Sequence, residues 1–222
     1  MRKDRSPSRV ERVAEAILEE IAAGRRPVGS RIPPEPQLQE MLGVARNTMR
    51  EAVRALAHAG VLEIRHGDGV YVTARTDMEG MVLRRLAGTD PHDVLVARRA
   101  LEVAAARAAA TRRDAADLER IESAWKLRGE AMTDAEAGID AGVAFHAAVV
   151  AASHNAALIE LYRGLDGVVA AGMREQLRAD RLPAWDHAAH YALLTAIRAG
   201  DPERAARAAA ATLDAVIDAL DQ

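Results

Sequence analysis

Three arginines spaced four residues apart, Arg46, Arg50 and Arg54, are the residues best placed to do chemistry, and that chemistry is contact with a polyanion. Between Arg46 and Ala59, Met49, Val53 and Leu56 recur at helical spacing and can face a core, while the arginines line another side. The DNA major groove admits an α-helix, and arginine suits bidentate contact with guanine edges or the clamping of phosphates. Arg46, Asn47, Thr48 and Arg50 fall in the first turns, where a recognition helix meets base edges, and Arg54 continues the face. Taken alone, such a helix is more often a solvated arginine stripe over a small helical core. What surrounds it changes the reading. A short helix and a turn at Gly43 precede it, and Ala59-Gly60 supplies a stop. Leu62, Ile64, Val70 and Val72 then alternate with polar neighbours on either side of His66-Gly67-Asp68-Gly69. The order predicts a winged helix-turn-helix, with His66, Gly67 and Gly69 at the wing tip as further DNA contacts.

The elements that must position these residues are legible from their punctuation. Ser8 with Glu11 forms a capping box, and Val10, Val13, Ile17, Leu18 and Ile21 make an apolar stripe that stops at Gly24, a helix expected to pack under the recognition helix. Thr76 to Gly88 reads as a connector holding a short helix with Met81, Val82, Leu83 and Leu86. Beyond it, Asp90-Pro91 opens a helix, Asp114 another, and Thr133 with Glu136 a third. Asn155 starts a long helix running towards Pro183, Leu182-Pro183 opens the next, Gly200 closes it, and Asp201-Pro202-Glu203 begins the last. This half has about six helices, no strand signal, much alanine and few aromatics, and alanine permits close approach, which predicts an all-α antiparallel bundle. The expected division is residues 6–75 for DNA binding, 76–89 as connector, and 90–222 as an all-helical domain for effector binding and dimerisation.

Half of the 222 residues are hydrophobic, enough for two modest domains with cores of their own. There is no run of about 18 apolar residues, and Met1-Arg2-Lys3-Asp4-Arg5 is not followed by an apolar signal core, so neither a membrane span nor an export signal is expected. With no cysteine there is no disulfide framework and no thiolate metal site, and a cytoplasmic location is the default expectation. Residues 1–75 hold 13 Lys or Arg against 10 Asp or Glu, a balance of +3, and the remainder 17 against 23, or −6. Only the front end attracts a polyanion, with Arg2, Lys3, Arg5 and Arg9 concentrated in its leading arm. So modest a balance predicts two copies of the domain on one duplex.

The first block resembles the amino-terminal domain of the GntR family of bacterial transcription regulators. The shared pattern runs through a helix, a proline-glycine bend, a Pro-x-Glu element, a Gly-Val-x-Arg turn at Gly43, an Arg-Glu-Ala helix at Arg50 and a Gly-x-Gly wing at Gly67, over residues 6–75. Pro36 stands where an arginine often follows the glutamate, and Asp68 stands where the wing tip is usually neutral or basic; both changes weaken phosphate contact. The second half is similar to the all-helical FCD ligand-binding domain of the FadR subfamily. The matching stretches are Arg98-Arg99-Ala100-Leu101-Glu102, Ala144-Phe145-His146 with Ala152-Ser153-His154-Asn155, and His190 with Ala196-Ile197 and Gly200-Asp201.

That resemblance implies a homodimer on a short palindromic operator in double-stranded DNA, a regulator that is most often a repressor, and a small-molecule effector. Many FCD domains hold a divalent metal with one Asp and three His. His146 and His190 match two of those places, but Gly142 and Thr212 occupy the others, and Asp140, six residues before His146, points away from it on a straight helix. No cofactor is therefore counted on. A metal, if present, would rest on His146 and His190 with Asp140, His187 or waters completing it. Without one, Arg98, His146 and His190 are expected to bound a donor-rich pocket for a small carboxylate. The plainer reading is a hydrogen-bonded core histidine in each case, and for Arg98 a solvated arginine like Arg99, Arg112 and Arg113. Two other classes stay open: a metal-assisted hydrolase built on His146 and His190, which lacks a well-placed carboxylate, and a nucleoid-type DNA binder, which needs no second domain. No phosphate loop, His-Glu-x-x-His or nucleophile elbow is present, and the chain is not expected to be an enzyme.

Overall fold

A computed structural model of the chain describes residues 7–179 and 186–220. Two compact units divide between Arg85 and Leu86. The first contains α1 (Arg9–Ala22), α2 (Glu35–Leu42), α3 (Arg46–Ala59), β1 (Leu62–Arg65), β2 (Gly69–Val72) and α4 (Asp77–Leu86). Arg2, Lys3 and Arg5 of the basic arm lie outside the described residues. The Ser8 hydroxyl accepts from the Glu11 amide at 3.1 Å, and the Glu11 carboxylate accepts from the Ser8 amide at 2.5 Å, the reciprocal cap that starts α1. Val13, Ile17 and Ile21 of α1 then bury against Met49, Ala52, Val53 and Leu56 of α3. Gly43, at φ 63°, ends α2 and turns the chain into α3.

The wing is an antiparallel pair with Leu62 opposite Val72 and Ile64 opposite Val70. Leu62 and Val72 are buried in the core, but Ile64 is 43% exposed, because the hairpin leaves the core after its first apolar pair. Residues 29–32 run along β2, with amides of Gly29 and Ile32 donating to Val72 and Val70 carbonyls at 2.8 and 2.9 Å. The short helix of the connector, α4, packs against the end of α3. Its start is fixed by Thr76 and Glu79, which accept from the Glu79 and Arg75 amides at 3.1 and 2.7 Å.

The second unit holds six helices among the described residues: α5 (Pro91–Arg112), α6 (Ala115–Glu130), α7 (Ala135–Ala151), α8 (Ala156–Arg178), α9 (His187–Ala199) and α10 (Pro202–Leu220), with a single 3₁₀ turn at Ala131–Thr133. Helix α5 is central and touches α7, α8, α9 and α10. Its Ala106, Ala109 and Ala110 lie with Ala205 and Ala209 of α10 in a core completed by Ile121, Phe145, Val149, Leu193 and Ile197. Alanine there lets helices come close enough for backbone atoms to share in dispersion contacts. Asp90, Asp114 and Asn155 cap α5, α6 and α8 as their positions predict.

Two expectations need correction or restriction. The cap of α7 is Asp134, not Thr133: its carboxylate accepts from the Glu136 and Ala137 amides at 3.0 and 3.1 Å, while Thr133 closes the preceding 3₁₀ turn. A carboxylate is the stronger acceptor for helix N–H groups and meets the positive end of the macrodipole, so the adjacent Asp displaces the Thr. Leu182-Pro183, expected to open α9, lies outside the described residues; α9 begins at His187, capped by Asp186, which accepts from the Ala189 amide at 2.8 Å. No helix of the described residues is long and apolar enough to cross a membrane.

Candidate functional site

The outer face of α3 carries the candidate DNA contacts. Met49, Ala52, Val53 and Leu56 are turned inward, which leaves Arg46, Asn47 and Arg54 exposed and Thr48 and Arg50 half-buried along the other side. Arg54 is 3.5 Å from Glu51, with both side chains 60% exposed, an open pair that costs little to exchange for a phosphate. No side chain caps α3, so its first amides stay available at the positive end of the helix. A cleft of about 420 Å³ opens beside them, and Arg9 and Arg12 of α1 line it together with Gly43, Ala45 and Thr48. Sequence reading placed Arg9 in a general basic arm and did not single out Arg12; tertiary packing brings both beside the recognition helix.

At the wing, His66, Gly67 and Asp68 are exposed at the tip. Gly69, at φ 147°, has no room for a side chain, since a Cβ there would lie 2.4 Å from Nε of Arg31. Arg65 sits 4.1 Å over the Tyr71 ring and 2.8 Å from Glu63. Arg31 and Arg65 are cations the sequence reading missed. Arg65 was findable as the last strand residue before the turn, whereas Arg31 reaches the wing only through its bridge to Tyr71.

In the second unit the structure brings Arg98, His146 and His190 into one buried cluster, through a residue the sequence reading quoted but did not use. Glu102 lies one turn after Arg98 on the same face of α5. Arg98 Nε donates to its Oε1 at 2.5 Å, and His146 Nδ1 on α7 meets its Oε2 at 2.6 Å. Arg98 also donates to the Tyr162 hydroxyl on α8 at 2.8 Å. His146 Nε2 faces His190 Nε2 at 3.1 Å, and His190 Nδ1 meets the Asp186 carbonyl oxygen at 2.5 Å. All five side chains are buried.

The electrostatics revise the expected character of this pocket. Burial opposes ionisation of Glu102, but His146 and Arg98 outweigh it and bring its pKa down to about 2. Burial likewise works against the charge on Arg98, yet Tyr162, Glu102 and Asp166 raise its pKa above the ordinary value. The imidazoles go the other way. Burial lowers His146 despite Glu102, and burial with His146 and Arg128 takes His190 to about 2. Arg98 and Glu102 therefore cancel, both rings are neutral, and the ring end is acceptor-rich where the sequence predicted donors. Arg128 of α6, buried and acting electrostatically on both rings, supplies the positive charge there. No motif marked it in the sequence.

The residues present fit a metal only in part. Carboxylate and carbonyl partners can only accept, so both Nδ1 atoms carry hydrogen and both Nε2 lone pairs point at one spot, the usual arrangement for ligating imidazoles. The remaining ligands are missing. Asp140 is held by Arg174 at 2.5 Å, His187 stacks on Trp125 with ring centroids 4.6 Å apart, and the Thr212 hydroxyl donates to the Ala209 carbonyl at 2.8 Å. Both oxygens of Glu102 are taken. Two imidazoles do not make the three or four protein ligands of a resident metal centre. A separate trio, Asp114, Asp117 and His154, has atoms within 4.8 Å of one another, but it is the N-terminal knot of α6, with Asp114 and Asp117 capping reciprocally and His154 Nε2 at 2.6 Å from Asp117.

Comparison with known proteins gives a consistent picture. Residues 9–72 match the bacterial regulatory proteins of the gntR family, and residues 93–215 match the FCD domain. A protein of Escherichia coli named as an L-lactate dehydrogenase operon regulatory protein is 33% identical over 216 residues, covering 92% of this chain and 83% of its own length. One of Paenarthrobacter nicotinovorans, named as a D-xylose utilization operon transcriptional repressor, is 33% identical over 205 residues, covering 88% and 81%. Among solved structures, a GntR protein of Streptococcus agalactiae aligns with a TM-score of 0.55 at 27% identity, covering 94% of this chain and 99% of the other.

Proposed function

The chain belongs to the GntR family of transcription regulators, in its FCD-bearing FadR subfamily, and from that premise we propose that it is a homodimeric repressor released from its operator by a small organic acid. The observation that carries the effector half is the buried set Arg98–Glu102–His146–His190, polar groups gathered from three helices inside an alanine-lined core. Burial of so many ionisable side chains is costly unless something is gained by it, and clusters of this kind mark functional sites more often than structural ones.

Two copies would present α3 to half-sites one helical turn apart, with the wings over the minor groove or backbone. The acid would bind one arrangement of the dimer better than the other and shift the population away from the DNA-competent one. Names given to relatives support the repressor reading and a link to carbon-source operons. No resident metal is part of this reading.

The test is operator binding by the full chain to the DNA flanking its own gene, with a panel of small organic acids. Active acids should raise the melting temperature and weaken operator binding, while His190→Ala keeps operator affinity and loses the response. An unchanged response in that variant would move the pocket elsewhere, and a panel without effect on operator affinity would end the organic-acid reading.

A further inference from the structure

We infer that His146 and His190 form half of a divalent-metal site that the effector itself completes, so that metal and a chelating acid enter together; this rests on the effector reading above. The acid would carry a hydroxyl or oxo oxygen beside its carboxylate.

Four observations converge on this. First, the two Nε2 atoms are 3.1 Å apart. Two nitrogens on one tetrahedral ion with bonds of 2.0–2.1 Å stand about 3.3 Å apart, so little movement is needed to receive one. Second, both rings are locked in the ligating tautomer by acceptor-only partners on Nδ1, Glu102 and the Asp186 carbonyl. Two lone pairs directed at each other repel, and a cation between them removes the repulsion. Third, no third protein donor is present: the family positions hold Gly142 and Thr212, and Asp140 and His187 are engaged elsewhere. Fourth, Arg128 places a positive charge on both rings from α6. That charge repels a bare dication but not a dication that arrives with an anionic chelate. Two imidazole nitrogens and two oxygens of the acid then make a four-coordinate set that neither partner makes alone.

The consequence is reciprocal binding: each of the two raises the affinity for the other by the same factor. The experiment uses the full chain stripped with a chelator and dialysed, with Co²⁺ as a spectroscopically visible metal, and lactate against propionate and malate against succinate as acid pairs differing by the hydroxyl. Co²⁺ alone and hydroxy acid alone should each leave the melting temperature nearly unchanged. Together they should raise it, bring up a visible Co²⁺ band, and lower the apparent Kd of the metal by about tenfold or more. Propionate and succinate should not substitute. His190→Ala and the closer-sized His190→Asn, each checked for folding by circular dichroism and operator binding, should lose the joint effect.

Tight stoichiometric Co²⁺ without acid would overturn the inference, because the protein would then complete its own coordination sphere. A hydroxy acid acting equally well in excess chelator would also overturn it while leaving the organic-acid reading intact. No joint shift from any pair would sink it as well, and the organic-acid reading falls too only if the same acids fail to weaken operator binding.

Discussion

Arg50 sits half-buried on the outer side of α3, with its hydrocarbon stem against the core and its guanidinium on the face shared with Arg46 and Arg54. Arg50→Ala is expected to cost about 1–3 kcal/mol in specific binding and to relax preference at one base pair. Truncating Arg2 or Lys3 should instead lower affinity for all sequences and flatten the salt dependence. Competition across a randomised site separates the two effects, and full site preference in the Arg50 variant would show that the reading face is misassigned. Arg98 demands a different caution. Its bonds to Glu102 and Tyr162 make it part of the frame of the pocket, so Arg98→Ala strands a buried carboxylate and should destabilise by about 3–5 kcal/mol. The paired change Arg98→Met with Glu102→Leu should recover much of that loss in a thermal scan. A mild effect of Arg98→Ala would mean that water reaches the pair.

Element by element, the closest approach in the first unit is between α4 and the end of α3. A Cβ on Gly80 would fall 2.6 Å from the Gly60 carbonyl, and Arg84 donates to the His58 carbonyl nearby. Helix propensity alone says that Gly80→Ala stabilises by about 1 kcal/mol. Overpacking against rigid backbone says the opposite and is larger, so a net loss of about 1–3 kcal/mol is expected. Gly172, inside α8, is the control: nothing lies within 4 Å of an added Cβ, and Gly172→Ala should stabilise by roughly 0.5–1 kcal/mol. Melting curves of the two variants should move in opposite directions. If Gly80→Ala also stabilises, α4 does not rest against α3 in solution.

For the molecule as a whole, the buried cluster predicts how stability varies with pH. His190 is held near about 2, far below its unfolded value, so the unfolded chain takes up a proton as pH falls below about 6.5 and the folded chain does not. The benefit is complete above that value and is lost progressively as pH falls. Glu102, held at about 2, adds a loss of the same sign lower down, below the ordinary carboxylate range. In chelator, the melting midpoint should therefore drop between pH 7.5 and pH 5, and His190→Asn should flatten that slope. A midpoint that rises or stays level over this interval would show that the rings are not held neutral.

The sequence by itself determined what repeats locally. The cap of α1, the αL stop at Gly60, the spacing of Met49, Val53 and Leu56, and the caps Asp90, Asp114 and Asn155 each depend on residues within a turn of one another, and so did the helix-turn-helix and its wing. Arg98, His146 and His190 were legible only through family spacing. Tertiary structure decided the rest. Glu102 looked like one more helical acid until packing of α5 against α7 put its second oxygen on His146, and that contact turned an expected cationic pocket into a neutral, acceptor-rich one. Arg128 and Arg31 gained their places through neighbours far away in the chain. Charge and tautomer in a buried site are set by which groups face each other across helices, and no spacing along one strand of sequence carries that information.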